Sequence, residues 1–290
     1  MHNLIIAVLC SVAVSVLLKV ARKRNIVIQQ AIAFNYTVAL SLSWFLLKPD
    51  FKGLEFTDFI AQSENMPIFL ALGILLPSVF IIMSKAVEFA GIVRSDAAQR
   101  LSLFLPILAA FLIFHETLSQ PKLVGIVLAF IGLFCLLSKP NPQSAVDLRG
   151  ILGLVGVWFG YGIIDILFKQ VAKSGGAFPT TLFIAFSLAA CIMFIYLLFK
   201  QTKWNIESFV GGIILGMLNF FNILFYIKAH QSFGSNPTLV FAGMNIGVIC
   251  LGTFTGALIF KEKITKINWL GIVFSLTAIF CLYYLDKILA

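Results

Sequence analysis

The sequence predicts an all-α integral membrane protein with ten transmembrane helices, arranged as two inverted five-helix repeats. The first observation behind this prediction is composition: 60% of the 290 residues are hydrophobic and 11% are charged, whereas about 25% of the residues in a soluble globular protein are charged. The second is a series of ten apolar stretches of similar length. The third is a set of short sequence matches between the two halves of the chain.

Each apolar stretch is close to the roughly 20 residues that a helix needs to cross the hydrocarbon core. Helices are expected because backbone groups in lipid must be bonded internally, and the alternation typical of barrel strands does not occur. The basic segment Lys19 to Arg24 follows the first stretch instead of preceding it, so we expect that helix to be retained. The predicted helices cover residues 3–20, 27–47, 67–88, 95–114, 121–138, 150–170, 178–199, 208–230, 237–260 and 267–286.

The charged and metal-binding residue types exclude several functions. The net charge of +9 comes from Lys and Arg placed between apolar stretches, a pattern typical of membrane-flanking charge and not of nucleic-acid binding. All five Cys lie inside apolar stretches without a CxxC motif, so neither disulfides nor a metal site is expected. The three His are far apart and no phosphate-binding loop is present. We therefore predict no cofactor, no metal and no ATP hydrolysis.

The two halves of the chain share short blocks in the same order. At an offset of 146 residues, Gly125-Ile-Val matches Gly271-Ile-Val, and Phe134-Cys-Leu matches Phe280-Cys-Leu. A polar connector at 139–147 separates the halves, which predicts repeats at 1–140 and 149–290. Because five helices are an odd number, the second repeat must enter the membrane with opposite orientation, an architecture that recurs in secondary transporters.

Three further segments carry a resemblance to a known family. They are Lys85-Ala-Val-Glu-Phe-Ala-Gly91, Phe104-Leu-Pro106 and Phe114-His-Glu116-Thr-Leu118, and Glu262 and Gly271 repeat the end of the pattern. With these segments the chain resembles the EamA-type branch of the drug/metabolite transporter superfamily over nearly its whole length. The resemblance implies a carrier with a central cavity lined by helices one to four and six to nine, with helices five and ten outside.

The orientation of the chain stays open at this stage. Lys and Arg are concentrated on the connectors that follow odd-numbered helices, which by the positive-inside rule places those connectors in the cytoplasm and both termini outside. Members of the family that the chain resembles are described with their termini inside.

Helix six carries the first candidate group for substrate binding. Tyr161, Asp165 and Lys169 recur every four residues and therefore lie on one helical face. A carboxylate at membrane depth is costly and tends to mark a transport pathway. We interpret Asp165 as a binding group for a substrate amine or a coupling proton. The alternative is a local ion pair in which Lys169 extends towards the interface.

Helix four carries the second candidate group. Gln99 and Ser102 lie on a polar face, and the planar guanidinium of Arg100 can bind a carboxylate or phosphate through paired hydrogen bonds. The alternative is a local pair with Asp96, four residues earlier. The matching end of helix nine carries Thr238 and Asn245 without an arginine, so the two repeats differ chemically.

Helices two and eight contribute amides and phenols. Asn219, Asn222 and Tyr226 share one face of helix eight, while Asn35 and Tyr36 lie in helix two. They are candidates for substrate contact, or alternatively for hydrogen bonds between helices. Pro77 and Pro106 are predicted hinges, because proline removes a backbone hydrogen bond inside a helix.

These features together predict a secondary transporter that exports a small metabolite, such as an amino acid, by alternating access between the repeats. A non-transporting membrane scaffold or a lipid-handling protein is the alternative. We expect no enzyme activity and no nucleic-acid partner. The expected partners are a small-molecule substrate, the lipid bilayer and a proton, in a multi-pass protein of a bacterial inner membrane that acts as a monomer or a homodimer.

Overall fold

The computed structural model describes residues 1–21, 26–51, 65–137, 148–173, 178–260 and 264–285, with the side chains of residues 19, 21, 92, 93, 260 and 284 left aside. These segments are helical with short connections. The helices are α1 (His2–Ala21), α2 (Ile28–Leu42), α3 (Met66–Ala90), α4a (Ile92–Leu101), α4b (Phe104–Leu112), α5 (Gln120–Leu137), α6 (Leu148–Lys173), α7 (Phe178–Phe199), α8 (Ile206–Ser232), α9 (Pro237–Phe260) and α10 (Lys266–Phe280). Wider π-helical turns, Ser43–Leu47 and Cys281–Leu285, extend α2 and α10.

Eight segments of the described chain are long and apolar enough to cross a membrane, with α4a and α4b counted as one. Two shorter apolar helices, at His2–Leu18 and Gln120–Leu136, accompany them. Large apolar side chains point outward, as Phe199 and Leu258 show with exposed fractions of 86% and 82%. A soluble protein would not leave so much apolar surface in water, so the chain is a multi-pass membrane protein.

The pairing of helices is symmetric when the two halves are exchanged. Helix α3 packs along α6, and its counterpart in the second half, α8, packs along α1. Likewise α2 packs on α8 and α7 packs on α3, while α1 meets α9 and α6 meets both parts of α4. Each of these contacts thus has a counterpart in the other half, as expected when two halves of similar structure pack against each other.

Helices α5 and α10 pack against each other through the residues that reveal the repeat in sequence. A Cβ built on Gly125 would meet Leu282, and one built on Gly271 would meet Leu136. These two contacts are the same contact displaced by 146 residues. Both helices also begin with a hydroxyl cap: the Ser119 hydroxyl accepts from a backbone N–H of α5, and the matching Thr265 accepts from Asn268.

Glycines set the close spacing between several helix pairs. Gly160 of α6 lies against Val79 of α3, and Gly212 of α8 lies against the backbone and Cβ atoms of α2. Gly243 and Gly247 of α9 receive side chains of α1. Gly252, by contrast, has no atom within 4 Å of a built Cβ. The glycine pairs in α6, α8 and α9 therefore serve helix packing, whereas Gly252 faces open space.

Helix α4 is interrupted between α4a and α4b, one turn before Pro106. The Leu105 N–H, which would bond Leu101 in a regular helix, donates to Ser102 at 3.0 Å. The Leu101 carbonyl instead accepts from the indole N–H of Trp158 in α6, at 3.0 Å. Proline has no N–H to continue the ladder, which accounts for a break at this point. Pro77, the other predicted hinge, lies inside the continuous helix α3.

Candidate functional site

A cavity of about 300 Å³ lies between the two halves. Residues of α1, α3, α4a, α6, α8 and α9 line it, together with Ile28 at the start of α2. Helices α5, α7 and α10 contribute no lining residue among those described, so α7 departs from the arrangement that the family resemblance implies. Nine of the predicted site residues face this cavity: Gln99, Arg100, Ser102, Tyr161, Asp165, Asn219, Asn222, Tyr226 and Asn245.

Asn35 and Tyr36 do not line the cavity. Both are fully buried, because α2 packs between α7 and α8. The Asn35 side-chain oxygen accepts a hydrogen bond from Asn219 at 3.1 Å. Asn35 therefore supports a residue of the cavity wall from behind, and the structure places these two side chains in the packing layer.

The α6 face brings Tyr161 and Asp165 to the cavity, but it does not form the local ion pair with Lys169. The Lys169 ammonium donates instead to the backbone carbonyls of Gly234, at 3.2 Å, and His230, at 3.5 Å. His230 lies in the last turn of α8 and Gly234 lies just beyond the helix, at the end where the helix dipole favours a positive charge. Asp165 is consequently left to face the cavity, with its carboxylate beside the hydroxyl of Tyr226.

Arg100 lies at the rim of the same space. Its guanidinium contacts the Asp96 carboxylate at 3.5 Å, and 12% of its side chain is exposed. The Nε atom is buried without a hydrogen-bond partner. Arg100 therefore both pairs with Asp96 and lines the cavity. Arg100 retains donor capacity for a ligand, since five N–H donors cannot be satisfied by one exposed carboxylate.

The amides of α8 and α9 use part of their hydrogen-bonding capacity between or within helices. Asn222 donates to the Ala7 carbonyl of α1 at 3.1 Å, and Asn245 donates to Phe241 in its own helix. The Tyr226 hydroxyl is buried beside the Asp165 carboxylate. Tyr226 and Asp165 thus form one polar group in the cavity wall.

A group of buried polar and ionisable residues lies at one end of the cavity, which we call the closed end: Glu116, Lys122, Lys169, His230 and Thr238. The Glu116 carboxylate accepts from both the backbone N–H and the hydroxyl of Thr238, at 3.1 and 2.7 Å. Its other oxygen lies 3.3 Å from the Lys122 ammonium. Glu116 follows α4b in the first half, whereas Thr238 begins α9 in the second half. This contact therefore ties the two halves together.

His230 fills the centre of the closed end. Its ring lies between those of Tyr226 and Phe241, with centroids 4.8 and 4.6 Å away, and it is fully buried. The ammonium groups of Lys169 and Lys173 lie over the ring of Phe114. Aromatic rings and the Lys169 side chain thus pack together at the closed end. Glu262, the sequence counterpart of Glu116, lies outside the described residues.

The opposite end of the cavity, which we call the open end, reaches the helix termini. Its lining includes Leu18 near the end of α1, Ile28 at the start of α2 and Val87 near the end of α3. Ser15 is exposed there. Among the described residues, the cavity lining therefore extends to this end of the helices. Arg22, Lys23 and Arg24, which follow α1 in the sequence, lie outside the described residues.

Comparison with known proteins identifies the family. The EamA-like transporter family model matches residues 148–284. The second half of the chain is therefore an EamA-like transporter domain. It is 82% identical, over the full length of both chains, to an uncharacterized protein of Haemophilus influenzae. The fold is also similar to that of a solved crystal structure of a protein with 12% sequence identity. The match covers 99% of this chain and 97% of the other chain, with a TM-score of 0.73.

The matched domain is described as that of a transporter family, which indicates that the cavity belongs to a membrane transporter. Several lining residues of this EamA-like protein escaped the sequence prediction of the site. Ser11 and Ser15 match Tyr161 and Asp165 in the repeat, and that match was the signal that could have added them. Phe80, Met83 and Met244 form apolar wall, and no sequence pattern separates such residues from those that face lipid.

Proposed function

We propose that the protein is a secondary transporter that exports a small zwitterionic metabolite, of the amino-acid type, across a bacterial inner membrane. The observation that carries this proposal is the presence of Arg100 and Asp165 in one cavity. A guanidinium can bind a carboxylate, and a carboxylate can bind an ammonium group. Since a charge inside a membrane protein is costly, two opposite charges that face one cavity favour a ligand that carries both a carboxylate and an ammonium group.

The remaining wall indicates the rest of the ligand. Leu76, Phe80, Met83, Met244 and Val248 supply apolar surface beside the charged groups. A cavity of about 300 Å³ lies at the lower end of the range of small-molecule sites, roughly 300–1,000 Å³, which suits a single small metabolite. An amino acid with an apolar side chain is complementary to both the charged groups and the apolar wall of this cavity.

The helix pairing supports the mechanism. We infer ten transmembrane spans in two inverted repeats, 1–140 and 149–290, because exchanging the halves preserves the packing partners of α1, α2 and α3. Such repeats permit alternating access around a fixed central site. The open end lies on the side of the Arg22-Lys-Arg24 connector, which the positive-inside rule assigns to the cytoplasm. That orientation lets an exported substrate enter from inside the cell.

Asp165 is the proposed coupling residue. It carries its carboxylate into the cavity without an ion-pair partner among the described residues. A group that can hold either a proton or the substrate amine would link substrate release to proton entry. All described site residues come from one chain, so a monomer is sufficient for the proposed cycle, and a homodimer is compatible with it.

A scaffold or lipid-handling role predicts a different centre. In such a protein the centre would be fully packed, with Asn219, Asn222 and Tyr226 bonded only to neighbouring helices. Instead these three residues face a cavity, where the Tyr226 hydroxyl lies beside the Asp165 carboxylate. The cavity therefore favours transport over the scaffold alternative.

Ligand-dependent thermal stabilisation of the purified protein tests the proposed substrate class. L-leucine should raise the melting temperature, whereas isopentylamine and 4-methylpentanoate, which each lack one of its two charged groups, should have little effect. A ligand present at about 100 times its Kd stabilises by about 2.7 kcal/mol, which is readily measured. Other apolar L-amino acids extend the panel. Equal stabilisation by the amine or the acid alone would contradict the zwitterion proposal.

A further inference from the structure

The break in α4 places a tryptophan of the second half in contact with the backbone beside Arg100. The Trp158 indole N–H donates to the Leu101 carbonyl at 3.0 Å, and Leu101 directly follows Arg100. The carbonyl is free for this bond because the Leu105 N–H turns to Ser102. The hydrogen bond thus anchors the C-terminal end of α4a to α6.

Helix α6 also carries the opposite charge of the cavity. Trp158, Tyr161 and Asp165 follow one another at spacings of three and four residues, so they share one face of α6. Between them, Gly162 lets Leu105 of α4b approach, since a Cβ built on Gly162 would lie 2.6 Å from the Leu105 side chain. The α4–α6 contact therefore fixes the backbone positions from which Arg100 and Asp165 extend.

We propose that Trp158 is a positioning residue, which holds Arg100 in the orientation that lets the cavity bind a carboxylate while Asp165 binds an amine. This inference rests on the proposed function for its consequence in transport, but the placement of Arg100 by Trp158 is independent of the substrate. Trp158 itself does not line the cavity. It acts through the Leu101 carbonyl and the interrupted backbone of α4.

The first test needs no substrate. Phenylglyoxal reacts with accessible guanidinium groups, and peptide mass spectrometry reports the rate for each arginine. In Trp158→Phe, which keeps an aromatic ring but removes the N–H donor, Arg100 should react roughly three- to tenfold faster, because one hydrogen bond of about 1 kcal/mol no longer holds α4a. Arg149, which is exposed on α6, serves as the internal reference and should keep its rate.

Two matched variants separate positioning from loss of folding. Trp204→Phe changes a tryptophan that packs on Phe34 and Phe194, away from α4, and should leave the Arg100 rate unchanged. Trp158→His restores a ring N–H and should bring the Arg100 rate back towards wild type. An unchanged Arg100 rate in Trp158→Phe would overturn the inference, and so would an equal rise at Arg100 and Arg149.

The second test concerns transport. In counterflow of labelled L-leucine or another carried amino acid, Trp158→Phe should raise the half-saturating concentration roughly three- to tenfold with a smaller change in maximal rate. It should add nothing in an Arg100→Ala background, because the positioned group is then absent. Additive losses would overturn the inference. If no amino acid is carried by the wild type, the proposed function fails while the phenylglyoxal rates still decide the role of Trp158.

Discussion

Thr238→Val should shift the conformational equilibrium towards a state in which the residues of the closed end have separated. The substitution keeps the size of the side chain but removes the hydroxyl that donates to Glu116 at 2.7 Å. A hydrogen bond to a charged group contributes roughly 1.5–3 kcal/mol, and the Glu116 side chain is fully buried. Because the contact joins the two halves, most of that energy favours the closed arrangement. About 2 kcal/mol corresponds to a roughly 30-fold change in the equilibrium between the two states.

Two single-cysteine reporters in a cysteine-free background measure the shift. Ala172→Cys lies buried on the face of α6 that carries Lys169, and Ser15→Cys lies exposed at the open end. With a membrane-impermeant thiol reagent, Thr238→Val should accelerate labelling at residue 172 and slow it at residue 15. Faster labelling at both positions would indicate general loosening and would refute the reasoning.

The matched control for this prediction lies in the same helix. The Thr253 hydroxyl donates to the Ile249 carbonyl within α9 and does not join the halves. Thr253→Val should therefore leave both labelling rates close to those of the starting protein. An effect as large as that of Thr238→Val would contradict the assignment of the Glu116 contact as the closing interaction.

Further predictions concern charge and packing. Asp165→Asn should reduce amino-acid uptake at least 30-fold, since it removes the carboxylate that would pair with the substrate amine, and losing one partner of a buried charge pair costs about 2 kcal/mol or more. The residual uptake should no longer respond to an imposed proton gradient. Asp96→Asn, a change at a carboxylate that is 47% exposed, should have a much smaller effect, and equal losses in proteoliposome uptake would contradict the role of Asp165. Gly212→Ala should lower the melting temperature in detergent, because its Cβ would lie 2.5 Å from Phe34 and 2.9 Å from a backbone carbonyl, at a cost of roughly 1–3 kcal/mol. Gly252→Ala meets no atom within 4 Å and should be neutral or stabilising; a lower melting temperature in this variant would contradict the packing account.

The helical class and most helix positions could be predicted from sequence because a membrane imposes a fixed length of apolar chain. Some of the short matches between the two halves also mark packing contacts, since Gly125 lies against Leu282 and Gly271 lies against Leu136. The break in α4 was predicted only as a hinge at Pro106. The structure shows that the regular helical hydrogen bonds stop one turn before the proline, where the Leu105 N–H bonds Ser102 and not Leu101.

The candidate site was partly predictable for a related reason. Polar residues in apolar helices are rare enough to be conspicuous, so Asp165, Arg100 and Asn222 could be identified from sequence alone. Asn35 and Tyr36 have the same appearance in sequence, yet they lie in the packing layer. Which face of α2 meets α8 depends on how the halves pack, and a single helix does not encode it. The apolar wall around Phe80 was invisible for the same reason.

Counterflow in sealed proteoliposomes tests the central claim most directly. Vesicles that contain the purified protein and unlabelled L-amino acid should accumulate the labelled amino acid transiently, without ATP or any imposed gradient. The Arg100→Ala, Asp165→Asn double variant should not. Absence of counterflow for every amino acid tested, or an equal signal in the double variant, would contradict a carrier that binds zwitterions between Arg100 and Asp165.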